Sequence, residues 1–325
     1  MVMDRGAVQL IDFRYYLVSI VSIFLALAVG IVLGAGPLQG DIGTRLTEQI
    51  TALRLEKNQL RSQLDSANKD AAARDTFATA LEPAAMKGRL KGKTVALVVE
   101  PGVDSDLITN ATTALTDAGA TVGATVTLTD SWADPTKSAL RNSVATPFAM
   151  LTTVPVGAEN PDPLAASVLA QSILAEPASP IVPLSPEANA ALNGLKAGNL
   201  ITTIPDKIAM SSSVVFLSGS VTGSSQADTT ARLAEYLQLV RSLAAGGSGV
   251  VVAADSNTTD PTKSADLVAA VRASSDVVKV VSTVDDADLP MGQDTLVLAL
   301  AQQYAGGVGQ YGLAGDAKAI FPAGR

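Results

Sequence analysis

Acidic side chains stand where short apolar runs end. Glu100 follows TVALVV, Asp130 follows ATVTLT and Asp255 follows GVVVAA. Paired carboxylates can move a proton or hold a hard cation. In an open parallel sheet, the carboxyl ends of the strands are also where ligands bind. Asp at these places equally caps helices and forms turns in proteins that do no chemistry. The remaining inventory weighs toward the second role. The chain contains no His and no Cys. That removes imidazole bases, thiol nucleophiles, disulfides and the usual zinc and copper ligands. Its six Met residues, at 1, 3, 86, 150, 210 and 291, are scattered, without the close cluster that soft copper takes. The chain therefore reads as non-enzymatic, with no cofactor and no metal. Glu100, Asp130, Trp132 and Asp255 are read as a partner or ligand edge. Trp132, the only Trp, would anchor a partner if exposed and plug the core if buried.

Two glycine-rich segments could cradle a phosphate. Gly307-Val308-Gly309-Gln310-Tyr311-Gly312 matches G-x-G-x-x-G by letter. The motif needs a strand before it, a helix after it and an acidic residue about 20 positions on. Here it follows a helical stretch, Asp294 to Tyr304, and the sequence stops at Arg325. Residues 305–325 are expected as a flexible tail. Gly246-Gly247-Ser248-Gly249 stops a helix and opens a strand, so it reads as a cap and turn.

The elements that position these residues begin with a membrane span. Tyr15 to Gly40 carries no charged residue, and Leu17 to Leu38 supplies the roughly 20 apolar residues needed to cross a bilayer. The span exceeds the apolar region of a signal peptide, and Pro37 disfavours cleavage after Gly34-Ala35-Gly36, so an uncleaved anchor is expected. A short N-terminus usually stays inside, and a long following domain translocates largely regardless of charge. Residues 1–14 are placed in the cytoplasm, 15–40 in the membrane, and the rest outside. Ser22, Ala26, Gly30 and Gly34 form a small-residue stripe that allows two such helices to approach closely.

From 41 to 85 a heptad run follows. Leu46, Ile50, Leu53, Lys57, Leu60 and Leu64 fall on a 3-4 spacing that continues through Ala67, Ala71, Arg74, Ala78 and Leu81. This is the pattern of a coiled coil, flanked by Glu48, Arg54, Glu56, Arg61 and Asp65. Lys57 at a core position lowers stability and favours a two-stranded register. One amphipathic helix lying on its own globular domain is the rival arrangement. A parallel homodimer is expected, with a stalk of about 60 Å at 1.5 Å per residue holding the soluble domains off the bilayer.

Residues 93–304 read as one α/β domain. Strands are expected at Thr94–Val99, Ala124–Thr129, Ser213–Gly219, Gly249–Ala254 and Val277–Ser282, about five in all, separated by amphipathic helices. Such alternation implies a Rossmann-like parallel sheet covered on both faces. The segment 134–206 is rich in Pro, with Asp134-Pro135, Asp162-Pro163 and Ser185-Pro186 each placing a capping residue before a Pro at the first helical position. It is expected as a helical insertion, and Asp260-Pro261 repeats the device later. The net charge of −8 argues against nucleic acid and against a domain lying on anionic lipid.

The opening IDFRYYLVSIVSIFLALAVGIVLGAGPL, joined to a heptad run and a Rossmann-like domain, resembles the actinobacterial family named for the mycobacterial copper transport protein B. Its most specific piece is a DFRYHLVS-type start, here Asp12-Phe13-Arg14-Tyr15-Tyr16-Leu17-Val18-Ser19, with Tyr16 in place of the expected His. The resemblance covers essentially the whole chain. The family name implies copper efflux or an outer-membrane pore. Other members, of the SteB type, imply a different role in cell separation, as inner-membrane partners of a second membrane protein that control a peptidoglycan hydrolase from outside. The residues favour the latter: one apolar helix cannot line a pore alone, amphipathic barrel strands of about ten alternating residues are missing, and copper ligands are lacking. A membrane-anchored homodimeric scaffold is expected, with copper transport as the alternative.

Overall fold

The computed structural model describes residues 13–35, 38–152, 162–175, 182–203, 209–255 and 265–323. The cytoplasmic N-terminus expected at 1–14 lies almost entirely outside these residues, as do Gly36, Pro37 and the Asp260-Pro261 cap. The chain divides into two compact units, Met1–Ala72 and Ala73–Arg325.

The first unit is built on two helices. Helix α1 (Phe13–Ala35) contains an apolar span, Arg14–Gly34, of 21 residues with mean hydropathy 2.8 and no buried side chains. By length and composition it can cross a bilayer. Ser22 returns its hydroxyl to the Val18 carbonyl (2.8 Å), and a Cβ added at Gly30 or Gly34 would touch nothing. Helix α2 (Leu38–Met86) runs for 49 residues and continues into the second unit.

The second unit, the head, is an α/β fold. In chain order it contains β1 (Thr94–Val99), α3 (Ser105–Asp117), β2 (Thr121–Leu128), α4 (Asp130–Ala133), α5 (Ser138–Ala145), α6 (Asp162–Ile173), β3 (Val182–Pro183), α7 (Pro186–Ala197), β4 (Ile201–Thr203), β5 (Ala209–Met210), β6 (Ser213–Ser218), β7 (Ser220–Val221), α8 (Gln226–Gly246), β8 (Val250–Ala254), β9 (Ala265–Asp266), α9 (Leu267–Ala273), β10 (Ser282–Val284), α10 (Pro290–Tyr304) and β11 (Gln310–Tyr311). Seven strands form one sheet in the order β11-β10-β8-β6-β1-β2-β4. All are parallel except β4, which pairs antiparallel with β2. The small pairs β3–β5 and β7–β9 stand apart from it.

Strict alternation along the strands feeds two cores. Ala96, Val98, Val214, Phe216, Val250 and Val252 face one side, packed with Leu164, Leu169, Leu192, Leu239 and Val268. Val95, Leu97, Val99, Val215, Leu217 and Val251 face the other, packed with Leu107, Leu115, Leu296, Leu300 and Leu90. Helices on both faces require strands that are apolar throughout, and this is why they read as continuous runs. Two of the expected caps form: Asp134 accepts the Thr136 amide (2.8 Å) and Ser185 accepts the Ala188 amide (3.1 Å). Asp104 caps α3 in the same way, accepting the Asp106 amide (2.8 Å).

Three local expectations are overturned. The run Val277–Ser282 is not a strand. Val277–Lys279 forms a 3-10 turn, Val277 and Val281 are buried four residues apart, and the strand begins at Ser282. Residues 305–325 are not a flexible tail where they are described. Gln310 and Tyr311 pair with Thr283 and Val284, and the amides of Lys318 and Ala319 return to the Gln310 carbonyl. The segment 134–206 is helical but also supplies β4; with β11 added at the other rim, the sheet has seven strands and not about five.

The turn from β10 into α10 is backbone-tight. A Cβ at Gly292 would run into the Asp286 carbonyl and the Ala287 amide. Gly292→Ala is expected to lower head stability by about 1–3 kcal/mol, the usual cost of overpacking, measurable as a fall in urea midpoint with an unchanged slope.

Candidate functional site

The chain runs from β1 to β2 on one side of the sheet, then crosses to β6, β8, β10 and β11 on the other. The switch point therefore lies between the carboxyl ends of β1 and β6. In open α/β sheets this crevice is where ligands bind. Glu100 and Ser218-Gly219 stand at its two lips. Glu100 is 2% exposed. Its Oε2 accepts the Gly219 amide (2.9 Å) and the Ser218 hydroxyl (3.2 Å), whereas its buried Oε1 has no hydrogen-bond partner.

Burial pushes the Glu100 carboxyl up to about 8. The Gly219 amide and Ser218 hydroxyl oppose that shift, and the charge of Asp266 adds to it. Asp266 itself caps α9 through the Val268 amide (2.8 Å), and burial moves it up to about 6. Tyr236 is raised by burial first and then by the charges of Glu100 and Asp130.

Glu100, Asp130 and Tyr236 line a cavity of about 380 Å³ together with residues 101–102 and 220–222 and Arg232. It shares Asp130, Thr222 and Arg232 with a shallower groove of about 530 Å³ that reaches Asp134 and Asp228. Arg232 is held by Asp228 one helical turn away (3.2 Å), and Asp228 also takes the Ser224 amide (2.7 Å). Asp130 is exposed and makes no hydrogen bond or ion pair among the described residues.

The structure thus brings together two of the four edge residues expected from sequence. Glu100 and Asp130 share one cavity. Asp255 ends β8 and is not among the residues lining it. Trp132, left open between anchor and plug, is a plug: it is 2% exposed within the core. Its carbonyl accepts Arg141 Nη1 (2.9 Å), and the buried Arg141 also pairs with Glu235 (2.7 Å). Arg232 and Tyr236 were missed. Asp228, Arg232 and Tyr236 repeat every four residues, a spacing that places them on one helix face. That spacing was the available signal.

The G-x-G-x-x-G letters contain β11 and no helix follows them in the described chain. Gly309 is packed against the Tyr311 ring and Gly312 adopts φ +128 beside Asp285, so these glycines serve an edge strand.

The residues expected to pair two copies lie on exposed surface. Leu46, Ile50, Leu53, Leu60 and Leu64 are 40–63% exposed. Lys57 lies among them in a groove on α2 formed by Leu53, Glu56, Leu60, Arg61 and Leu64.

Sequence comparison decides the family. The model of the family described as "Copper transport outer membrane protein, MctB" matches residues 10–322. The chain belongs to the MctB family. Proteins named Copper transporter MctB from Mycobacterium tuberculosis (strain ATCC 25618 / H37Rv) and Mycobacterium bovis (strain ATCC BAA-935 / AF2122/97) are each 29% identical over 321 residues, spanning 96% of this chain and 99% of theirs. The Mycobacterium leprae (strain TN) protein of the same name is 27% identical over 330 residues, with the same coverage. In this MctB-family chain, no three His, Cys, Asp or Glu side chains group as a metal site among the described residues. The four described Met residues sit apart in sequence. Met86 is buried at the end of α2, Met150 is fully exposed, Met210 lies in β5 and Met291 in the first turn of α10.

Proposed function

We propose that this MctB-family chain is a membrane-anchored, non-enzymatic scaffold of the cell envelope. It works as a parallel homodimer in copper transport and supplies assembly, not the metal's ligands. The exposed 3-4 row on α2 carries this reading. Five aliphatic side chains from Leu46 to Leu64 are left in water by a helix whose own unit does not cover them. A second copy of the same helix is the occupant that a heptad specifies. The stripe of Ser22, Ala26, Gly30 and Gly34 lets the spans pair in register with it. Residues 1–14 face the cytoplasm and the head lies outside. In this reading copper is cargo handled by the assembly, since the chain has no His or Cys to hold it.

The same missing ligands favour a second reading, in which the cargo is a protein: a peptidoglycan hydrolase engaged through a second membrane protein during cell separation. A deletion strain separates the two. Copper sensitivity supports the first, and unresolved septa with normal copper tolerance support the second. Self-association underlies both and is measured by sedimentation of the full chain in detergent. Leu60→Ala is expected to weaken it at least about tenfold, because each copy loses a buried leucine contact. A chain that sediments as a monomer at every concentration would refute the scaffold.

A further inference from the structure

We propose that the crevice between β1 and β6 is a binding site for a small ligand carrying a protonated amine, with the ammonium held between the Glu100 and Asp130 carboxyl groups that line it. This site is independent of how the chain pairs. Three observations converge on it. The crevice lies at the topological switch point, where the connections leaving the adjacent parallel strands β1 and β6 run to opposite sides of the sheet. It is a cavity of about 380 Å³, the size of a small-molecule site. Glu100, itself 2% exposed, lines it and has one carboxyl oxygen, the buried Oε1, without a hydrogen-bond partner.

A buried polar atom without a hydrogen bond is costly, and native proteins keep such atoms few. Glu100 already spends its other oxygen on Gly219 and Ser218. The other oxygen is left without a partner, and a ligand in the cavity that draws the carboxyl into its ionised form would supply one.

The walls select the donor's charge. Asp130 is a second carboxylate without a partner among the described residues. Tyr236 also lines the wall. The one cation lining the cavity, Arg232, is already matched by Asp228 (3.2 Å). An ammonium supplies three donors, and charge-assisted bonds to carboxylates are the stronger kind. A neutral hydroxyl would satisfy Glu100 but leave Asp130 uncompensated. An anion would meet Asp130 and the ionised Asp134 and Asp228 in the adjoining groove.

Bound cation and buried proton compete. Glu100 is faced by Asp130 from α4, Arg232 and Tyr236 from α8, and Asp266 from β9. Without ligand it holds a proton at neutral pH. An ammonium favours the carboxylate, so binding at pH 7 should release a proton, whereas a neutral ligand should release none.

The test uses full chain in detergent micelles, with glucosamine and spermidine as probes and N-acetylglucosamine as the uncharged control. Titration calorimetry in two buffers of different ionisation enthalpy reads affinity and proton release together. Saturable binding of at least one amine, with proton release and with N-acetylglucosamine at least about tenfold weaker, is expected. Asp130→Asn alters only an exposed side chain and should weaken amine binding about tenfold. Glu100→Gln should abolish the proton release while the head stays folded. The proposal fails if neither amine binds, if the acetylated sugar binds equally, or if Asp130→Asn leaves amine affinity unchanged.

Discussion

Arg272→Ala should destabilise the head by about 3–5 kcal/mol, the usual penalty for stranding one member of a buried ion pair. Arg272 lies on α9 with its side chain 5% exposed, and it reaches three separate pieces of chain. Its Nη2 pairs with Asp285 (2.7 Å) and donates to the Tyr311 carbonyl (2.7 Å). Nη1 pairs with Asp316 (2.6 Å), and Nε donates to the Thr283 hydroxyl (2.9 Å). Truncation leaves Asp285, 1% exposed, as a buried carboxylate with only the Leu313 and Ala314 amides to solvate it. Trp132 is the only Trp and lies buried in the head, so its fluorescence reports this unfolding without a signal from α1 or α2. A urea midpoint within error of wild type would show that the network contributes nothing. Arg272→Lys should recover only part of the loss, because an ammonium cannot reproduce the planar fork.

Glu100→Gln should flatten the pH dependence of head stability and, above pH 8, raise that stability by as much as about 5 kcal/mol. The sign follows from where the proton sits. The folded head raises Glu100 from its ordinary 4.5 to about 8. Between those values the folded state keeps a proton that the unfolded chain has released. Stability therefore falls as pH rises through this window, by about 1.4 kcal/mol per unit for a single group. Below the window the carboxyl is neutral in both states and the variant should match wild type. Gln retains an oxygen for Gly219 and Ser218 and carries no charge to desolvate. Unfolding at pH 5 and pH 9, followed by Trp132, checks it. A variant with the same pH slope as wild type would show that Glu100 is already ionised in the fold.

Most of the sheet was legible because a parallel strand buried on both faces has no choice of residue. TVALVV and SVVFLSG announce themselves by unbroken apolar stretches inside polar ends; β1 keeps its expected bounds and β6 ends one residue early, at Ser218. β10 was hidden because it breaks that rule. Ser282 and Thr283 are fully buried and polar, and they are tolerated because Gln303 donates to Ser282 (3.0 Å) and Thr283 donates to Gln310 (2.6 Å). Both glutamines come from sequence more than 20 residues away, so no local pattern carries them. The apolar valines just before, Val277 and Val281, drew the strand assignment to the wrong place.

The candidate site was half legible for a similar reason. A carboxylate at a strand end is visible in sequence, and Glu100 and Asp130 were found that way. Which strand ends become neighbours depends on sheet order, and only that order separates Asp255 from the crevice and adds Arg232 and Tyr236 from α8. Trp132 needed burial to decide it. The family resemblance rested on the opening segment, most specifically Asp12 to Ser19, joined to the heptad run and the α/β domain, and agreed with the match over residues 10–322.

The two rims of the sheet have a consequence for crowding. One rim is β11, two residues long and roofed by the returning segment at Lys318 and Ala319; the other is β4, three residues long and reversed in direction. Neither offers a long row of vacant amides. Open strand margins invite neighbouring molecules to zip on and start fibres. In the proposed homodimer, a shared rod would multiply how often identical heads meet. Blunted margins would let such heads collide repeatedly and part again instead of aggregating.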